Sequence, residues 1–393
     1  MFEIAINKNE NKKEIALIEN GKLVEYYIDD KDSCRREGNI YIGIIRNVIK
    51  GMQAAFVDIG TEKNSFIHLK DLLPKIDETK EKTQPTIDIK DAAKAGQKVL
   101  VQVKKDSNLQ KGARVSTHIN LSSKYIALMP HTDIITVSQK IEDKKEQERL
   151  IKLVKANLSE GNGAVIRTSA VNKEQEIIDD IKNIEQKWNK IEKVFKADKD
   201  NKPKLISKAN DIVERMIIDL PEKSIQKIKT NDEQEYKKIS KIKEDSNYLK
   251  DIKLELEETD VLDIYDVKKE IEKIENRKIW LKCGGFITID KTEALTAIDV
   301  NTGKYTGKQN ADQTIYKVNK EATIEIAKQL RLRDIGGIII IDYIDMKEQE
   351  SKNKIKDLLE EELKHDRTKT QVEGFTKLDL MEITRKHICS HKE

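Results

Sequence analysis

The strongest constraint on the fold lies toward the C-terminal end of the chain. A strand-like segment, ALTAIDV (294–300), is followed by Val318, Ala322, Ile326 and Leu330, and then by GGIIIIDYIDM (336–346). Apolar residues at every fourth position draw one stripe along a helix of about 318–332. The run of isoleucines reads as a strand of the kind buried on both faces, started by a glycine pair and ended by acids. Strand, helix, strand is a βαβ unit, whose two strands run parallel in one sheet. Asp299 stands at the end of the first strand and Asp342 near the end of the second, 43 positions apart. The topology therefore brings both carboxylates to one edge, where open α/β sheets bind their ligands.

Two carboxylates meeting in this way form a hard, all-oxygen site suited to Mg²⁺, which takes one or two carboxylates plus water and substrate phosphate. Such an ion can activate water and neutralise charge on a phosphodiester. Asn301, two residues after Asp299, points to the same side of an extended segment, and its amide can orient a water or a phosphate oxygen. Asp345 follows Asp342 by three and falls on the opposite face if the strand runs that far. Taken alone, acids at strand ends are more often simple terminators than ligands.

The rest of the chain divides by pattern. Residues 1–35 alternate as short strands around an Asn20-Gly21 turn. From Gly38 to about Leu121, strands at 40–48, 54–59, 65–69 and 98–103 are punctuated by Gly51 and Gly60, which suggests a small barrel. Inside it, residues 74–95 are polar and aperiodic, as expected of an exposed loop. Between 120 and 202, short strands mix with a helix whose stripe is Ile177, Ile181, Ile184, Trp188, Ile191 and Phe195. Residues 203–275 read as mostly Lys/Glu-rich helix with a solvated face.

Composition narrows the class. The 393 residues carry 74 Lys+Arg against 71 Asp+Glu, a net charge of +3, so overall charge does not select a partner. No run of eighteen apolar residues and no signal-peptide pattern occurs, so a cytoplasmic location is expected. Cys34, Cys283 and Cys389 are too scattered for a disulfide framework or a Cys-x-x-Cys knuckle.

Five segments together carry a resemblance: GMQAAFVDIG (51–60), VIRTSA (165–170), GGFITIDKTEALTAIDVNTG (284–303), AKQLRLRDIGGIIIIDYIDM (327–346) and LDLMEITRKH (378–387). In this order they closely resemble the ribonuclease E/G family, nearer to ribonuclease G. The resemblance implies a Mg²⁺-dependent endoribonuclease that cuts single-stranded, often AU-rich RNA to 5′-phosphate and 3′-hydroxyl ends. It places the metal on Asp299 and Asp342, with Asn301 as their partner. It implies an α+β multidomain fold: a ribonuclease H-like subdomain from 1–35 and 203–277, an S1-like OB barrel at 36–119, a 5′-sensor region at 120–202, and a DNase I-like catalytic subdomain at 278–393. Barrel and sensor would be insertions in the ribonuclease H-like part.

Base-stacking roles fall by the same resemblance on Phe56 and Phe66, and a phosphate contact on Lys111. From local sequence alone, Phe56 in its apolar AAFV run reads as barrel core, while Phe66 reads equally as core or surface. Arg167 and Thr168 match the pair that grips a 5′-monophosphate, chemistry for which a guanidinium fork and a hydroxyl are apt. Relatives have a glycine where this chain has Ser123. Lys304, Lys308, Arg331, Arg333, Arg385 and Lys386 cluster in sequence around the acids as phosphate contacts, which position RNA without reading it. Relatives continue to a Cys-Pro-x-Cys element that shares zinc between two subunits. This chain has HICSHKE (387–393), with His387, Cys389 and His391 but no such element, so no zinc is expected and a homodimer would be weakened or altered. The competing reading is a noncatalytic S1-type RNA-binding protein. A Mg²⁺-dependent nucleotidase is a weaker one, since no Gly-x-x-x-x-Gly-Lys loop occurs.

Overall fold

The computed structural model describes all residues except 11, 31–35, 73–87, 108–110, 222, 304–310 and 389–393. Most of the 74–95 insertion, as well as Cys34, Lys304, Lys308, Cys389 and His391, therefore lies outside the described residues. The chain forms two compact units, one from Met1–Ser33 with Leu220–Glu393 and the other from Cys34–Asp219.

The first unit holds two sheets. In one, Lys253–Leu256, Ile225–Thr230, Phe2–Lys8, Lys12–Glu19 and Lys22–Asp30 lie side by side in that order. The Asn20-Gly21 turn joins the last two, with both residues at positive φ, the geometry that tight hairpins need. Ile225–Thr230 runs parallel to Phe2–Lys8, and Lys253–Leu256 runs parallel to Ile225–Thr230. These two strands lie where helix was expected. Ile225, Ile228 and Thr230 are buried beside exposed or half-buried neighbours, but so short a Lys-rich segment also fits a helix.

The second sheet has six strands in the order Lys278–Trp280, Phe286–Lys291, Thr296–Asn301, Gly337–Asp342, Leu380–Arg385 and Thr370–Phe375. Only Thr296–Asn301 and Gly337–Asp342 are parallel, joined by the helix Ala311–Leu332. That helix and Gln349–Leu363 cover one face. Val318, Ala322, Ile326, Leu330, Ile355 and Leu359 meet Ile298, Ile339, Ile341 and Ile383 there. The isoleucine strand is therefore buried on one face, not both. Ile339 and Ile341 point inward, whereas Ile338 is exposed and Ile340 half-buried on the other side.

In the second unit, Ile40–Ile49, Ala54–Asp58, Ser65–His68, Arg114–Ser116 and Lys98–Lys105 pair in sequence around a ring, and Lys98–Lys105 closes it by pairing back onto Ile40–Ile49. Closure leaves no free edge in these five strands, and Ile45, Val57, Ile67, Val101 and Val115 fill the interior. Lys204–Ser207 pairs on the outside of Ile40–Ile49. A separate four-stranded sheet, Ile135–Val137, Asn162–Ile166, Ile126–Pro130 and Leu121–Ser122, carries the helices Lys144–Asn157 and Glu174–Ala197. The latter buries Ile177, Ile181, Ile184, Trp188 and Ile191, while Phe195 is only half-buried.

Candidate active site

The uncovered face of the six-stranded sheet is built by alternation. In Thr296–Asn301, residues 296, 298 and 300 point into the core, so Asp299 and Asn301 point outward. In Gly337–Asp342 the same alternation turns Asp342 outward. The parallel register pairs Asp299 directly with Asp342. Paired backbones lie about 4.8 Å apart, so the two exposed carboxylates are neighbours on one face. Asn301 Nδ2 donates to Asp299 Oδ2 at 2.5 Å, which fixes that carboxylate and leaves the amide oxygen as an acceptor. Gly285 lets the chain pass close by, since a Cβ there would stand 2.8 Å from the Asn301 carbonyl.

Asp342 titrates above the ordinary carboxylate range. Partial burial is the largest cause, followed by the charges of Asp299 and Asp345. Asp345 thus faces the pair electrostatically. The strand ends at Asp342, so alternation no longer assigns Asp345 to the opposite side. The turn beyond is clamped by the buried Asn319 of the long helix, whose Nδ2 donates to Ile344 O at 2.8 Å and whose Oδ1 accepts from Ile344 N at 3.1 Å. Among the described residues no three His, Cys, Asp or Glu side chains converge as a metal cluster. The donor set here is two carboxylates and an amide, with like charges that a divalent cation would relieve, and it fits Mg²⁺ with water completing the shell.

The basic residues near these acids in sequence behave differently from one another. Arg385 is fully buried, with Nε 2.7 Å from Asp366 Oδ2 and Nη1 2.9 Å from Asp334 Oδ1, so it is a structural ion pair and not a phosphate contact. Arg331 is also buried and faces Glu25 at 3.6 Å. Arg333 is half-buried and donates to Gln329, and burial lowers its pKa. Lys386 is exposed. His387 meets the Asp334 carbonyl through Nδ1 at 3.0 Å.

On the barrel, Ala55, Val57 and Ile67 point inward, leaving Phe56 and Phe66 half-buried on the outer surface. They are cross-strand partners, with ring centroids 6.1 Å apart in an edge-to-face arrangement. Lys111 is exposed on the segment that runs beside them, where Phe66 N donates to Ala113 O at 2.7 Å. Gly112 permits this approach: a Cβ would lie 1.9 Å from the Asn64 carbonyl oxygen. The structure thus brings Phe56 and Phe66 together, with Lys111 two residues before the Ala113 that pairs with Phe66.

In the four-stranded region, Arg167 is half-buried and Thr168 exposed at the start of a short 3₁₀ turn. The Arg167 guanidinium donates to Asp219. Asp219 ends the helix Ile212–Asp219, whose last turn is held by the buried Lys124, with Nζ 3.0 Å from Ile217 O and 3.2 Å from Ile218 O. Behind Arg167 lies Asp180, which accepts from Ser123 Oγ and from the backbone N–H groups of Tyr125 and Ile126. Ser123 thus has a specific partner in the Asp180 carboxylate.

Comparison with known proteins gives this geometry its context. The model of the Ribonuclease E/G family matches residues 120–388, which include Arg167, Thr168 and the carboxylate pair. The chain is 38% identical to Ribonuclease G of Escherichia coli (strain K12) over 392 residues, covering 98% of this chain and 79% of that protein. It is 36% identical to Ribonuclease G of Haemophilus influenzae over 390 residues, with the same two shares. Ribonuclease E of a Nostoc strain is 32% identical over 363 residues, covering 89% of this chain and 51% of that protein. The chain belongs to the ribonuclease E/G family.

Membership in the ribonuclease E/G family draws attention to side chains that the sequence reading passed over. Asp219 and Asp180 flank Arg167 from 52 and 13 positions away, and no local pattern announces them. Trp280, 62% exposed on the open face of the six-stranded sheet, and Lys278 beside it were also missed. Their outward alternation around Ile279 is the signal that could have found them.

Proposed function

We propose that this endoribonuclease of the ribonuclease E/G family cuts single-stranded RNA with Mg²⁺ held by Asp299 and Asp342, leaving 5′-phosphate and 3′-hydroxyl ends. The observation that carries the reading is the shared register of the two acids on an open sheet face, with Asn301 bonded to Asp299. The ion would supply charge neutralisation at the phosphate and lower the pKa of water. By holding the ion, the two carboxylates would set where the scissile phosphate binds. Asn301 holds Asp299 in its rotamer and offers its amide oxygen to orient the attacking water. Water loses a proton to solvent as it adds at phosphorus, the bond to the 3′-oxygen breaks, and that oxygen leaves as a hydroxyl after taking a proton from solvent.

In the same reading, Phe56, Phe66 and Lys111 hold the single strand on an S1-like barrel (36–119), by stacking and by charge. Arg167 and Thr168 grip a 5′-monophosphate in a sensor region (120–202). Residues 1–35 and 203–277 form a structural ribonuclease H-like subdomain and residues 278–393 a DNase I-like catalytic one. The enzyme would act in the cytoplasm on RNA being processed or degraded. Among the described residues no helix is long and apolar enough to cross a membrane.

The test is cleavage of a fluorescent single-stranded AU-rich RNA with Mg²⁺ or EDTA, using wild type, Asp299→Asn and Asp342→Asn. Removing either ligand should cost on the order of 10²–10⁴ in rate, because metal assistance contributes several kcal/mol. Cutting that continues in EDTA or in both variants would remove the metal mechanism. Equal rates on 5′-monophosphate and 5′-hydroxyl substrates would remove the sensor role alone.

A further inference from the structure

Trp280 is the anomaly of the catalytic face. Large aromatic side chains are seldom left this exposed, and the core behind Trp280 is filled by Leu281 and Ile287, with Ile279 packed against it. Phe286 sits directly opposite on the next strand, with ring centroids 5.3 Å apart and planes at 62°. Lys278 Nζ lies 4.2 Å from the Trp280 ring centroid and 3.5 Å from that of Phe286. An exposed indole backed by a half-buried phenyl ring, with an ammonium over both, is an arrangement suited to single-stranded nucleic acid, by base stacking beside positive charge.

The register fixes where this platform lies. Trp280, Phe286 and Asn301 form one cross-strand row, and Lys278, Thr288, Asp299 and Asp342 form the next. All of these side chains share the open face. Trp280 is two strands from Asp299, roughly 10 Å at ordinary strand spacing. That separation puts the indole within reach of a nucleotide next to one whose phosphate is held at the carboxylates.

Resting on the nuclease reading above, we propose that Trp280, buttressed by Phe286, stacks on the base of a nucleotide adjoining the scissile phosphate, while Lys278 contributes charge to the neighbouring backbone. The platform positions the strand on the catalytic sheet itself, separately from the barrel patch. It makes no hydrogen bond to a base edge, so it favours an unpaired nucleotide of any sequence over a base-paired one.

The chain has two tryptophans, and Trp188 is only 3% exposed, so a bound base stacks on Trp280, whose emission is isolated as the difference between wild type and Trp280→Phe. The full chain in EDTA is titrated with a short single-stranded oligoribonucleotide of adenosine and uridine, with retention in a native gel run in parallel. Quenching is expected as RNA binds, and Trp280→Phe should abolish it. In Mg²⁺, Trp280→Ala should raise KM roughly 5- to 100-fold with a smaller change in kcat. Trp280→Phe should recover most of that loss, and circular dichroism checks that both variants fold. A substrate with an abasic nucleotide beside the cleaved bond should erase the difference between wild type and Trp280→Ala. Unquenched emission at RNA concentrations that retain the protein, or an unchanged KM in Trp280→Ala, overturns the proposal. Quenching without any cutting would sink the nuclease reading and leave the stacking site standing. RNA that fails to bind at all would sink both.

Discussion

Asp299 and Asp342 occupy the same register position on adjacent parallel strands and face the same side of their sheet. Without a cation this places like charges side by side, and the field of Asp299 helps keep the Asp342 carboxyl above its usual range. Repulsion of this kind is relieved either by a bound divalent ion or by removing one charge. In EDTA, Asp299→Asn should therefore be slightly more stable than wild type, by less than about 1 kcal/mol because both groups are solvent-exposed, and unfold at higher denaturant. Mg²⁺ should raise the stability of wild type and not of the variant. Equal responses to Mg²⁺ in the two proteins would dissociate the metal from this pair.

The clamp on the Asp342–Asp345 turn gives a second prediction. Asn319 is fully buried and satisfies both backbone groups of Ile344. Asn319→Ala leaves a donor and an acceptor unpaired in the interior, a cost of roughly 1–3 kcal/mol for each group. Stability should fall, and kcat should fall further than the folded fraction accounts for, because the turn that aims Asp342 is loosened. Activity that scales only with the folded fraction would make Asn319 a fold residue alone.

The strand, helix and strand around the acids were legible because a helical stripe and an apolar run are strong local signals. That Asp299 and Asp342 reach one edge followed from the parallel sense of that unit, whereas their shared register emerged only from the structure. Other features depended on partners far away in sequence. Ile225–Thr230 becomes a strand only by lying between Phe2–Lys8 and Lys253–Leu256. The exposure of Ile338 and the half-burial of Ile340 reflect helices on one face alone, which a uniform run of isoleucine does not encode. Arg385 looked like a phosphate contact because its two acids, Asp334 and Asp366, lie 51 and 19 residues away.

That burial makes Arg385 a test of structure against function. Both acids and the guanidinium are essentially inaccessible to water. Removing one member of a buried ionic cluster leaves uncompensated charge, typically at a cost of 3–5 kcal/mol. Arg385→Leu should lower the unfolding free energy by an amount in that range, read as a lower urea midpoint, while KM for RNA in the remaining folded protein stays within a factor of about two. A large rise in KM with unchanged stability would return Arg385 to the list of RNA contacts.

Arg167 presents the opposite situation, an arginine proposed for phosphate that already has a carboxylate partner in Asp219. A 5′-monophosphate would have to displace or share that partner. Asp219→Asn weakens the competing bond and should increase the rate ratio between 5′-monophosphorylated and 5′-hydroxyl RNA. Arg167→Ala should bring the ratio to one. If Asp219→Asn lowers the ratio, Asp219 is needed to aim Arg167 rather than competing for it, and comparison of the two substrates in each variant decides the matter.

Asp180, behind Arg167, sets a pH dependence whose sign can be worked out. Burial pushes its carboxyl above the ordinary aspartate range, while the hydrogen bonds from Ser123, Tyr125 and Ile126 and the charge of Arg167 pull it back in part. Below about pH 4, the range in which an unfolded aspartate titrates, the group is protonated in both states and its contribution to stability is fully present. As pH rises, the unfolded chain ionises freely while the folded chain still holds the proton, so stability is lost until pH passes the raised folded value, and it is constant thereafter. Ser123→Gly removes one donor to the carboxylate, raises the folded value further and should deepen that loss. Asp180→Asn cannot ionise and should remove this component altogether. Urea midpoints for the three proteins, measured from pH 4 to pH 8, check the sequence; parallel profiles for wild type and Asp180→Asn would mean that Asp180 carries no shifted proton.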